Sequence, residues 1–122
     1  MDRVELINHN GKEIVALDFS NVNVNEKEIM KISVEKAKGI IASKPQKSVL
    51  VLTNLTNTGF DLEVSGIMKE YANHNTPYVK ASALVGVSGL QKIILNAVKK
   101  LTGREYYLFD KKEEALDWLV KQ

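Results

Sequence analysis

The chain contains no cysteine. That excludes disulfides, thiolate nucleophiles, thiolate zinc sites and iron–sulfur clusters held by thiolates. There are two histidines, His9 and His74. They lie far apart, neither has a second ligand at metal-binding spacing, and each reads as a polar turn residue, so no metal and no cofactor is expected. Charge of one sign is equally scarce. The 17 basic and 15 acidic residues leave a formal +2, without the one-sided basic excess of a nucleic-acid binder. No apolar run approaches membrane-spanning length, and MDRVELINHN lacks the apolar core of a signal peptide. The expectation is a cytoplasmic protein that is not integral to a membrane.

At 122 residues and 44% hydrophobic, the sequence has apolar content for one compact domain, residues 1–122. Its most regular stretch is SALVGVSGLQKIILNAVKKL, Ser82 to Leu101. A short apolar strand ends in Gly86-Val87-Ser88-Gly89, and a helix follows with Leu90, Ile93, Ile94, Ala97, Val98 and Leu101 spaced as an apolar face. Ser88 and Gln91 have the spacing of a capping box, and Gly103 stands where a left-handed C-terminal cap belongs.

The remaining elements follow the same reading. Val4–Ile7 and Ile14–Phe19 are β-prone runs joined by Asn8-His9-Asn10-Gly11, whose Asn-Gly favours a tight antiparallel hairpin. Asn25 to Glu28 has capping-box spacing and opens a helix with the stripe Met30, Val34, Ala37 and Ile41, ending near Lys44 before Pro45. Its lysines, Lys27, Lys31, Lys36, Lys38 and Lys44, read as a solvated face, with an acidic partner as the sharper alternative. Ser48–Thr53 is apolar at consecutive positions, as in a strand buried on both faces.

Asp61 caps a second helix with the stripe Val64, Ile67, Met68, Tyr71 and Ala72. Tyr78–Val85 is the next strand and Tyr106–Phe109 the last. Asp110 to Glu113 opens a final helix through Ala115, Leu116, Trp118, Leu119 and Val120. The order β-β-α-β-α-β-α-β-α predicts an α/β domain. If sequential strands are neighbours, right-handed crossovers place successive helices on one face. The other face, carrying either Val49 and Val51 or Leu50 and Leu52, then needs a partner, a ligand or one displaced helix to cover it.

Chemistry is thinly represented. Ser88 sits at a strand-to-helix turn, but Gly86-Val87-Ser88-Gly89-Leu90 lacks the last glycine of a nucleophile elbow, and capping accounts for the serine. The turn Gly86, Ser88, Gly89, with Lys92 nearby, offers a helix start to an anion but carries no full phosphate-binding fingerprint. The loop Asn54 to Phe60 lies at the edge where open α/β sheets carry ligands, with hydroxyls but no base.

The sequence resembles the STAS superfamily, more narrowly the SpoIIAA-like group, over nearly its full length. VGVSGLQKIILNAVKKLTGRE and YLFDKKEEALDWLVKQ are the most characteristic segments. The resemblance implies a SpoIIAA-like (βα) superhelix: an N-terminal hairpin, alternating α and β, and a mixed five-stranded sheet with four helices. It implies a non-enzymatic regulatory module that binds a protein partner or itself as a homo-oligomer, such as a dimer.

In the anti-sigma-factor antagonists of that superfamily, an Asp-Ser-Ser-Gly loop before the second helix carries a phosphorylated serine and docks a kinase. Here the loop falls on Thr56-Asn57-Thr58-Gly59. Thr58 stands for the acceptor serine, Gly59 for the glycine, Thr56 for the aspartate and Asn57 for the first serine. The contact surface expected from the resemblance is therefore Asn54, Thr56, Asn57, Thr58 and Gly59, with Thr58 as the phospho-acceptor. The alternative is a carrier for a small apolar or anionic ligand, a lipid or a nucleotide, held near Gly86 to Gly89.

Overall fold

A computed structural model of the chain describes residues 3–103 and 105–122, with the side chains of Leu90 and Ile94 outside the described set. The elements are β1 (Val4–His9), β2 (Lys12–Asp18), a 3-10 turn (Val24–Glu26), α1 (Lys27–Ala42), β3 (Val49–Asn54), α2 (Leu62–Asn75), β4 (Val79–Val85), α3 (Gly89–Thr102), β5 (Tyr107–Phe109) and α4 (Lys112–Leu119). The strands form one sheet in the order β1-β2-β3-β4-β5. β1 and β2 are antiparallel, and every later pair is parallel. The hairpin turns on Asn10 (φ 50°) and Gly11 (φ 81°), the two positive-φ positions that Asn-Gly supplies.

Because strands alternate their side chains, the sheet has two apolar faces with different covers. Val15, Leu17, Val51 and Leu84 face a layer of Met30, Val34, Ala37 and Ile41 from α1 and Val64 and Tyr71 from α2, with Leu95 of α3 packed at its margin. Ile14, Leu50, Leu52, Ala83 and Val85 form the other face, closed by Ala115, Leu116 and Leu119 of α4. Leu50 and Leu52 are thus the pair on the second face, and a displaced helix is what covers it. Trp118 secures that helix to the short last strand, its ring 4.4 Å from Tyr107 and 5.7 Å from Phe109.

Three local expectations shift. The cap before α1 lies two residues upstream of Asn25: the Asn23 backbone N–H donates to Glu26 Oε1 at 3.1 Å. The sequence Asn-Val-Asn-Glu-Lys-Glu offers both registers, and the upstream one accompanies the burial of Val22. Asp110 and Glu113 have the spacing of a capping box, but the N-cap of α4 is Lys111, which makes no side-chain cap bond, so that box is not formed.

The third shift concerns α3. Gln91 and Val98 are buried and Leu95 is half-buried, while Ile93 is 69% and Leu101 66% exposed and Ala97 is exposed. Only Val98 of the expected stripe is confirmed inside; Leu90 and Ile94 lie outside the described residues. The helix is rotated so that a polar residue, Gln91, points inward.

The lysine face of α1 is not left to solvent alone. Lys27 reaches Asp61 at 2.5 Å and Glu63 at 3.7 Å, Lys31 reaches Glu63 at 3.4 Å, and Lys38 reaches Glu70 at 3.0 Å. Lys44 meets Glu13 at 2.8 Å. These pairs join α1 to α2, and the turn after α1 to the hairpin.

Candidate functional site

The parallel strands β2, β3 and β4 all end at the same edge, so the three loops that leave them meet there. The loop after β3 is held from both sides. Thr56 accepts from Asn21 N–H at 3.0 Å, and Gly59 N–H donates to Val22 at 2.8 Å. Asn57 Nδ2 donates to Asn21 Oδ1 at 2.9 Å, and Thr58 Oγ1 donates to the Phe19 carbonyl at 2.8 Å.

On the opposite side, Gln91 Nε2 donates to the Thr58 carbonyl at 3.1 Å. Its Oε1 accepts from Ser88 N–H at 2.9 Å, while Ser88 Oγ accepts from Gln91 N–H. One buried glutamine therefore closes the cap of α3 and bridges two loops. Its polarity makes sense only once both loops are in place, which is why helical periodicity misassigned this face.

Within the loop, Asn54 Oδ1 accepts from both the backbone N–H and the hydroxyl of Thr56, at 3.0 and 2.7 Å. This is an Asx turn, followed by Asn57 in the left-handed region at φ 53°. Two glycines are set by crowding. A Cβ on Gly59 would lie 2.8 Å from the Val24 backbone nitrogen, and one on Gly86 would lie 2.1 Å from Thr56 Oγ1. Gly86 also has φ 74°, so its substitution is strained twice over.

The edge has inner and outer members. Thr56 and Asn57 are exposed, Asn54 and Gly59 half-exposed, and Thr58 buried at 8%. A phosphoryl group on Thr58 would have to displace its bond to Phe19 and enter a packed site. At the start of α2, Asp61 Oδ1 accepts from Val64 N–H at 2.9 Å, the cap that the sequence predicts. The Lys27 ammonium, hydrogen-bonded to Asp61, holds that carboxyl below the usual carboxylate range, with the Val64 N–H assisting. The same bond raises the Lys27 pKa.

At the other turn, Gly86 N–H donates to Phe109 at 3.2 Å and Ser88 N–H to Gln91. Two donors that an anion would use are thus already engaged. Ser88 also stands apart from both histidines. The β1–β2 turn and the C-terminus of α2 lie at the opposite edge, where His9 Nε2 is 2.8 Å from Asp117 Oδ1 and His74 Nδ1 is 2.9 Å from Asn75 Oδ1. The contact between His9 and α4 spans a sequence separation of 108, invisible to any local pattern.

Between the sheet and α2 and α3 lies an apolar cavity of about 50 Å³, lined by Leu55, Phe60, Met68, Leu84, Leu95 and Val98 among others. Sites for drug-sized ligands run to roughly 300–1,000 Å³, so the cavity matches a packing gap more closely than a lipid or nucleotide pocket. No helix among the described residues is long and apolar enough to cross a membrane.

The sequence matches no family model and no curated protein. The structure is similar to that of an uncharacterized protein of the DUF3478 family from Shewanella loihica PV-4, described as having a SpoIIAA-like fold. The TM-score is 0.67 at 21% identity, over 95% of this chain and 91% of that one. The hairpin, mixed five-stranded sheet and four helices of this chain are a SpoIIAA-like fold.

Proposed function

We propose that this chain is a non-catalytic docking module of the STAS type. Its contact surface would combine the edge formed by Asn54, Thr56, Asn57 and Gly59 with the outer side of α3. The observation that carries this reading is the orientation of α3. Ile93, Ala97 and Leu101 stand one turn apart and face solvent, an apolar stripe that would gain by being covered. Leu62, 93% exposed at the first position of α2, lies just past the same loop edge.

The hydrogen-bonded loops add a preorganised rim, which lowers the ordering cost of association. In this reading Thr58 and Gln91 are anchors that hold the rim, and Thr56 and Asn57 are the residues that meet a partner. A switch acting on Thr58 would work by breaking the Phe19 bond and loosening the loop.

The test uses the double substitution Ile93→Asp and Leu101→Asp. Both sites are exposed, so folding should change by less than about 0.5 kcal/mol each. Wild type immobilised in extract from the native host should retain a partner, or size-exclusion light scattering should show a dimer, and the variant should lose it. Identical retained proteins and identical mass would remove the surface from consideration. A lipid or nucleotide found by native mass spectrometry on freshly purified protein would favour the carrier reading.

A further inference from the structure

The far end of the sheet gathers a different set of groups. His9 closes β1 at the hairpin, and α4, after leaving β5, runs back down the second face towards that hairpin. Glu113 and Asp117 are four residues apart on α4 and so occupy one side of it. One ligand atom from each of His9, Glu113 and Asp117 lies within 4.8 Å of the others. The His9 side chain is 20% exposed, against 60% for Asp117, so the imidazole is held in place while the carboxylates keep access to solvent.

Two carboxylates one turn apart repel each other. Among the described residues no lysine or arginine forms an ion pair with either of them. His9 hydrogen-bonds Asp117, and among the described residues it makes no such bond to Glu113.

We propose that His9, Glu113 and Asp117 bind a divalent transition-metal ion of the zinc class. An imidazole with two carboxylates suits zinc or its neighbours; magnesium and calcium prefer all-oxygen sets of six or more. At metal–ligand distances of about 2.0–2.2 Å, ligand atoms of a tetrahedral site stand roughly 3.4 Å apart. His9 and Asp117 would separate slightly from 2.8 Å, and Glu113 would close in by a side-chain rotation. The fourth position would be left to water.

The ion would neutralise the Glu113–Asp117 pair and tie α4 to the hairpin across the second apolar face. This inference is independent of the docking surface, which lies at the opposite edge.

The experiment follows metal-stripped full-length protein by thermal melting and titration calorimetry with zinc chloride. Magnesium chloride serves as the control. One zinc ion per chain should bind, and at a hundredfold excess over Kd the melting temperature should rise by about 10 °C. Magnesium should leave it unchanged. Glu113→Gln preserves the His9–Asp117 bond and, with one of the two repelling charges removed, should melt within about 2 °C of wild type without metal, yet lose the zinc response at least tenfold in affinity. His9→Gln should lose the response as well, and His74→Gln should retain it.

Absence of a zinc shift in wild type would overturn the proposal. So would a response that survives either Glu113→Gln or His9→Gln, or one that disappears with His74→Gln.

Discussion

Replacing Gln91 with leucine should loosen the whole loop edge while leaving the fold in place. Leucine matches the volume of glutamine but makes neither of its side-chain hydrogen bonds. The Thr58 carbonyl, held by Gln91 Nε2 at 3.1 Å in a buried position, would be stranded, at a cost of about 1–3 kcal/mol. Ser88 N–H would lose Oε1, but at an exposed residue water replaces it, and the loss is about 0.5–1 kcal/mol. Burial of the extra apolar atoms offsets part of this, leaving a net loss of about 2 kcal/mol.

With an unfolding entropy of about 2.1 cal/mol/K per residue, a chain of 122 residues loses roughly 4 °C per kcal/mol. The variant should therefore melt about 8 °C below wild type. Hydrogen exchange should accelerate at Thr58 and Gly59 before it does so in β3. A variant that melts within about 2 °C of wild type, with unchanged exchange in the loop, would refute the bridging role of Gln91.

Other perturbations address separate parts of the account. Leu119→Ala removes a fully buried side chain between α4 and the second sheet face and should cost about 2–5 kcal/mol in urea unfolding; a loss under 1 kcal/mol would mean α4 does not close that face. Gly86→Ala meets Thr56 within 3 Å and a positive φ, so it should destabilise by at least about 2 kcal/mol, whereas Gly89→Ala, with open space around it, should be nearly neutral.

Lowering pH should test the α1–α2 pairing. The Asp61 pKa is depressed in the folded state, so its contribution is present above the unfolded value of about 3.9 and fades as pH falls through the lower folded value. The Lys27 pKa is raised, so its contribution is complete below about 10.4 and fades as pH climbs through the higher folded value. Asp61→Asn retains a capping side chain but should flatten the stability profile at the acid end; an unchanged acid limb would show that the pair contributes nothing.

The fold was legible because its punctuation is local. Asn10-Gly11 sets the hairpin, Ser88 and Asp61 cap their helices, Gly103 ends α3 at φ 71°, and the unbroken apolar run of β3 marks a strand covered on both faces. Register and helix rotation were less accessible. In α3 the residues Ile93, Ala97 and Leu101 form as good an apolar face as the buried one, and only the demand of Thr58 for a donor brings Gln91 inward. The lysines of α1 gave no sign of their acidic partners on α2, since pairing of exposed charges follows from helix juxtaposition. Nor could His9 be associated with Asp117 until α4 was known to return to the hairpin. The role expected of Thr58 came from a motif in which the acceptor is a serine; here the hydroxyl is drawn inward by Phe19.

The proposed function puts contact with a protein partner at the loop edge and the outer side of α3. A photo-crosslinking residue placed at Leu62 or Ile93, both exposed, and separately at Leu6 on the far strand β1, tests it in extract from the native host. The account predicts a discrete adduct, identifiable by mass spectrometry, from positions 62 and 93 and none from position 6. Adducts from position 6 alone, or equally from all three, would contradict it.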